Sequence, residues 1–166
     1  MTRMYIGIGL LLVIASTALL LVTRGEKAEP GFDVPFPVYS AGIRIHDGDT
    51  IRLTGEKVSI RLVGFNTPET SRLYAACDPE IDAGKRARTR LRELLASGEL
   101  TLTYVRCTCR PGTEGTSACN HGRACGVLKL GDRNIGDILI AEGHAAPYHC
   151  AGTKCPKLPR PWCEEG

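Results

Sequence analysis

Between residues 38 and 65 apolar and polar positions alternate with a period of two, the pattern of half-buried β-strands. Val38 to His46 reads as one strand, and Thr50 to Leu53 as a short second one ending at Thr54-Gly55. Lys57 to Phe65 is a third, with Val58, Ile60 and Leu62 on one face and Ser59, Arg61 and Val63 on the other. Gly-containing turns make the three a meander. Pro68 breaks the run, and Asp78-Pro79-Glu80 opens a helix with proline at its start. Ile81, Arg88, Leu91, Leu94 and Leu95 form the helical stripe, interrupted only by Arg88, and Gly98 closes it. Leu100 to Arg106 alternates as a fourth strand and Ala124 to Leu130 as a fifth, before a short helix over Ile135 to Glu142 closed by Gly143. The expected fold is mainly β with helices (α+β). Its architecture is a five-stranded OB-fold Greek-key barrel with a helix between strands 3 and 4 and a short C-terminal helix.

Ahead of this domain the pattern changes. From Met4 to Thr23, 15 of 20 positions are apolar and none is charged. A helix of that length rises about 30 Å, enough to span a bilayer. A cleaved signal peptide has a shorter apolar core and a small-residue cleavage site, whereas Leu19 to Val22 run straight into Thr23-Arg24-Gly25. Residues 1–23 are therefore read as a transmembrane signal anchor, with secretion after cleavage as the alternative. Residues 24–37, with Pro30, Pro35 and Pro37, read as a linker, 38–150 as the domain, and 151–166 as a Pro- and Cys-rich tail without periodicity. The 166 residues suffice for one ordinary domain.

Eight cysteines, seven of them between Cys107 and Cys163, indicate an oxidising compartment, so the domain is expected to face the periplasm or exterior. The formal charge of +3 is too small to mark a nucleic-acid binder by itself.

Three polar clusters fall at strand ends: Asp47-Gly48-Asp49-Thr50, Asn66-Thr67-Pro68-Glu69 with Arg61 eight residues before Glu69, and His121-Gly122-Arg123. Singly, each has a bland explanation as a turn, a loop or a solvated side chain. Together they supply what phosphodiester hydrolysis needs. Carboxylate and amide oxygens suit a hard cation, guanidinium groups stabilise phosphorane oxygens, and a free carboxylate takes the proton of water.

The stretches Asp47 to Leu53, Ile60 to Glu69, Gly122-Arg123 and Gly136 to Gly143 with Ala145 and Tyr148 resemble the thermonuclease, or staphylococcal nuclease-like, family over roughly 38–150. The resemblance implies an OB-fold and Ca²⁺-dependent cleavage of DNA and RNA. By position it makes Arg61, Glu69 and Arg123 catalytic, and Asp49, Asn66 and Thr67 metal ligands, Thr67 through its carbonyl. His121 and Tyr148 fall at nucleic-acid-binding positions. Asn66 stands where the family has a second metal aspartate, which removes a negative charge and implies weak Ca²⁺ binding; Asp47 can compensate through a bridging water. His121 stands where the family commonly has a tyrosine.

Within the insertion 107–122 and at its far edge, Cys107, Cys109, Cys119 and Cys125 depart from zinc-site spacing and read better as disulfides that clamp the loop carrying Arg123. Cys77, Cys150, Cys155 and Cys163 complete an even set that pins the tail, although sequence leaves the pairing open. The leading function is a membrane-anchored extracytoplasmic nuclease acting on DNA or RNA, with no protein partner implied. The alternative is a catalytically impaired OB-fold module that binds nucleic acid or protein.

Overall fold

The computed structural model describes residues 31–163. The expected membrane anchor lies outside the described residues, and among these no helix is long and apolar enough to cross a membrane. The elements are β1 (Pro35–Val38), β2 (Ile43–Ile45), β3 (Thr50–Leu53), β4 (Ile60–Leu62), β5 (Gly64–Asn66), α1 (Asp78–Ala96), β6 (Leu100–Val105), β7 (Ala124–Leu130), β8 (Arg133–Asn134), α2 (Ile135–Ala141) and β9 (Ala146–Tyr148). The described residues thus form a mixed α+β domain, mostly strands with two α-helices.

One sheet runs in the order β1-β6-β7-β4-β3-β2, with β8 added to β7. The segment β2-β3-β4 is an antiparallel meander, β4 pairs parallel with β7, and β6 pairs antiparallel with both β7 and β1. The path ends on β1 and β2, which are neighbours in sequence with the single turn Ser40–Gly42 between them. Six flat strands would span about 24 Å, whereas the step from Val38 to Ile43 reaches at most about 18 Å. The sheet must curl, and it forms a half-barrel. Its concave face buries Ile51, Ile60, Leu62, Leu100, Leu102 and Leu128 against Leu91, Leu94 and Leu95 of α1 and Ile135, Ile138 and Leu139 of α2.

Several boundaries differ from expectation. The third expected strand splits into β4 and β5 because Gly64 takes φ 97°, which turns the chain so that Gly64–Asn66 pairs with β9. Pro35 and Pro37, assigned to the linker, lie in β1. An edge strand tolerates proline, and Phe36 stacks on Tyr104 with ring centroids 5.6 Å apart. Arg88 is exposed, and the α1 stripe is completed by Ala87, which is buried.

Candidate active site

The β2–β3 turn, the end of β5 and the start of β7 open onto one cleft of about 850 Å³, and Asp47, Asp49, Arg61, Asn66, Thr67, Glu69, His121, Arg123 and Tyr148 all line it. Every residue expected at the site from sequence therefore reaches the same space. Gly48 makes the turn possible: a Cβ there would lie 2.7 Å from Thr67 Cγ2, so only glycine lets the turn close on Thr67. Asp49 then accepts hydrogen bonds on Oδ2 from the Thr67 amide (2.8 Å) and hydroxyl (3.0 Å), and on Oδ1 from Thr50 Oγ1 (3.1 Å). The Asp49 amide in turn donates to Asp47 Oδ1 at 3.1 Å, an Asx-type turn.

Arg61 leaves β4 on the cleft side and pairs with Asp49 Oδ2, both side chains being largely buried. Its Nη2 donates to Asn66 Oδ1 and to the Phe65 carbonyl, each at 3.1 Å. The Asn66 amide donates at 3.4 Å to the Pro159 carbonyl, in the tail. Glu69 follows Pro68 on a segment that α1 approaches closely; a Cβ on Gly84 would stand 2.4 Å from the Glu69 carbonyl oxygen. Its amide donates to Glu80 Oε1 at 3.3 Å. The Glu69 carboxylate itself has no hydrogen-bond or ion-pair partner among the described residues and lines the cleft.

Arg123 is presented by a constrained loop. Asn120, His121 and Gly122 all have positive φ (49°, 58° and 76°), a run that only local bonding and crosslinks sustain. Arg123 Nε and Nη2 donate to the Asn120 carbonyl (3.1 Å) and Oδ1 (2.9 Å), and Nη1 donates to Thr50 Oγ1 at 3.3 Å. Disulfides Cys107–Cys125 and Cys109–Cys119 bracket this loop, while Cys77–Cys163 and Cys150–Cys155 hold the tail. No cysteine is free among the described residues, so the disulfide reading of all eight holds.

The charges in the cleft act on one another. Burial, and then repulsion from Asp49, raises the Asp47 pKa from 3.8 to about 6. The same two causes raise that of Glu69. Burial and then the Arg61 charge lower that of Arg123, so the two guanidiniums repel across the cleft and an anion between them would relieve that repulsion. Hard cations take oxygen ligands. The Asp49 carboxylate, the Asn66 side-chain oxygen and the Thr67 carbonyl, which accepts no hydrogen bond among the described residues, supply that chemistry. Arg61 already holds Asp49 Oδ2 and Asn66 Oδ1, so a cation would compete with a guanidinium for them. The donor set fits a divalent cation in kind.

Sequence reasoning missed Glu80, Arg160 and Asn120. Asn120 was legible as the residue before His121-Gly122-Arg123, since asparagine tolerates positive φ. Nothing in the aperiodic tail marked Arg160. Tyr148 was expected to meet a nucleotide and lines the cleft, but its hydroxyl donates to the Pro156 carbonyl at 3.2 Å. No family model matches the chain, and no match to it was found among curated proteins.

Proposed function

We propose that the cleft hydrolyses phosphodiester bonds of DNA or RNA, and that the protein is an extracytoplasmic nuclease held at the membrane by residues 1–23. The observation that carries this reading is the convergence of Arg61, Arg123 and an unpartnered Glu69 on one cleft. Arg61 and Arg123 bind the phosphate oxygens and stabilise the charge that develops on them in the transition state. Glu69, half-buried and with a raised pKa, takes the proton of the attacking water as its oxygen bonds to phosphorus and the ester oxygen departs. A Ca²⁺ on Asp49, Asn66 and Thr67 would add neutralising positive charge beside the phosphate. Thr50 and Asn120 orient Arg123, and Asp49 orients Arg61 when no phosphate is present.

Strand order supports reading the half-barrel as an OB-fold, with β1 and β2 as two halves of one bent strand that pairs with β6 at one end and β3 at the other. Four disulfides support an oxidising compartment.

The purified chain is expected to cleave single-stranded DNA at about 10 mM Ca²⁺, above the weak extracellular range, and to lose turnover with chelator. Absence of cleavage under these conditions rejects the proposal. A second reading, a domain that binds nucleic acid without cutting it, is favoured by the hold of Arg61 on the Asp49 and Asn66 oxygens. Under that reading neither the parent protein nor Glu69→Gln cleaves DNA, and both bind it.

A further inference from the structure

Glu80 is the one fully buried ionisable side chain among the described residues outside the cleft, at 1 % exposure, and the hydrolytic chemistry above makes no use of it. An ionised carboxylate so placed is costly unless it is paired and hydrogen-bonded. Its partners are unusual. Oε1 accepts from the Glu69 amide at 3.3 Å, and Oε2 accepts from the Ala76 amide at 2.7 Å and pairs with Arg160 Nη1 at 2.6 Å. Glu80 sits in the first turn of α1, where acidic residues suit the helix dipole, yet it reaches back past the helix start into the segment that carries Glu69.

Arg160 belongs to the tail. It also donates to the Tyr74 carbonyl at 3.1 Å, and three residues later Cys163 is joined to Cys77, the residue just before α1. Glu69 is thereby held on both sides of its backbone. Its amide is fixed by Glu80, and its carbonyl by the close approach of Gly84. Upstream, the Asn66 amide bonds to Pro159 of the same tail.

We propose that Glu80 and Arg160 are positioning residues for Glu69, and that residues 156–163 form a disulfide-anchored strap whose role is to neutralise Glu80 and hold the Glu69 backbone in place. Removing Arg160 leaves a buried carboxylate without its counter-ion, so the carboxylate takes up water and releases the Glu69 and Ala76 amides. The Cys77–Cys163 disulfide raises the local concentration of Arg160 at Glu80. The consequence for catalysis rests on the nuclease reading; the clamp itself does not.

The test compares the full chain with Arg160→Ala, Arg160→Lys and the double variant Cys77→Ser/Cys163→Ser, by amide hydrogen exchange and by turnover of single-stranded DNA. Arg160→Ala is expected to speed exchange at Glu69 and Ala76 by about tenfold or more, the scale of a charge-assisted hydrogen bond, while the β6–β7 amides stay protected. It should lower kcat by a similar factor with KM nearly unchanged, and Arg160→Lys should restore part of both. The double variant should lie between Arg160→Ala and the parent protein. Unchanged exchange at Glu69 in Arg160→Ala overturns the proposal, as does an equal loss of protection throughout the domain. If the parent shows no nuclease activity but local exchange responds as described, the clamp stands and the nuclease reading falls.

Discussion

Asp49 takes four donors from three directions: the Thr67 amide and hydroxyl, the Thr50 hydroxyl and the Arg61 guanidinium. It joins the β2–β3 turn to β4 and to the segment after β5. Asp49→Ala would leave Arg61 largely buried without its counter-ion, and breaking such a pair costs about 3–5 kcal/mol. Urea unfolding at pH 7 should show a loss of that order. Asp47 acts in the opposite sense. Its folded pKa is raised from 3.8 to about 6, so the folded state favours the protonated acid. The stability this contributes is complete below 3.8 and is lost as pH rises through about 6. In chelator, unfolding free energy should therefore fall across that window, by on the order of 2 kcal/mol after discounting for partial solvent access, and Asp47→Asn should flatten the decline. An equal decline in both proteins would assign the effect to other groups.

Among the elements, α1 matters most to the site because it packs on the Glu69 segment through a position with no side chain. Gly84→Ala would drive a Cβ to within 2.4 Å of the Glu69 carbonyl oxygen, which is backbone and cannot swing aside. A destabilisation of about 1–3 kcal/mol is expected from such overpacking, together with a fall in kcat. Thermal unfolding beside turnover measures both. The strands were legible where one side is buried: alternation marked Thr50–Leu53 and Ala124–Leu130 at their observed bounds, and it placed Arg61 opposite Ile60 and Leu62. It failed where backbone geometry decides. The positive φ of Gly64 ends β4, and edge pairing admits Pro35 and Pro37 to β1, neither of which leaves a periodic trace. In α1, Arg88 occupied a stripe position by spacing, while the small Ala87 filled the core.

At the scale of the whole molecule, residues far apart in sequence meet through crosslinks. Cysteine content announced disulfides, but the partners follow from the fold. Cys125 lies opposite Val105 in the β6–β7 ladder, which brings Cys107 within reach, and Cys163 reaches Cys77 because the tail, which lines the cleft at Cys155 and Leu158, returns to the start of α1 where Arg160 pairs with Glu80. The Glu80–Arg160 pair spans 80 positions, and sequence alone had no signal for it. Replacing Cys107 and Cys125 by Ser should cost about 2–4 kcal/mol, and should lower turnover further by loosening the loop that presents Arg123. A stability loss without a turnover loss would mean that the Arg123 bonds to Asn120 and Thr50 suffice.

The central claim is that Glu69 performs a chemical step in this cleft. The most direct test measures, on one preparation, single-stranded DNA cleavage and DNA affinity for the parent protein and for Glu69→Gln at about 10 mM Ca²⁺. Cleavage by the parent, with turnover lost and affinity retained in Glu69→Gln, is the predicted result. Equal cleavage by both proteins, or none by either, would contradict it.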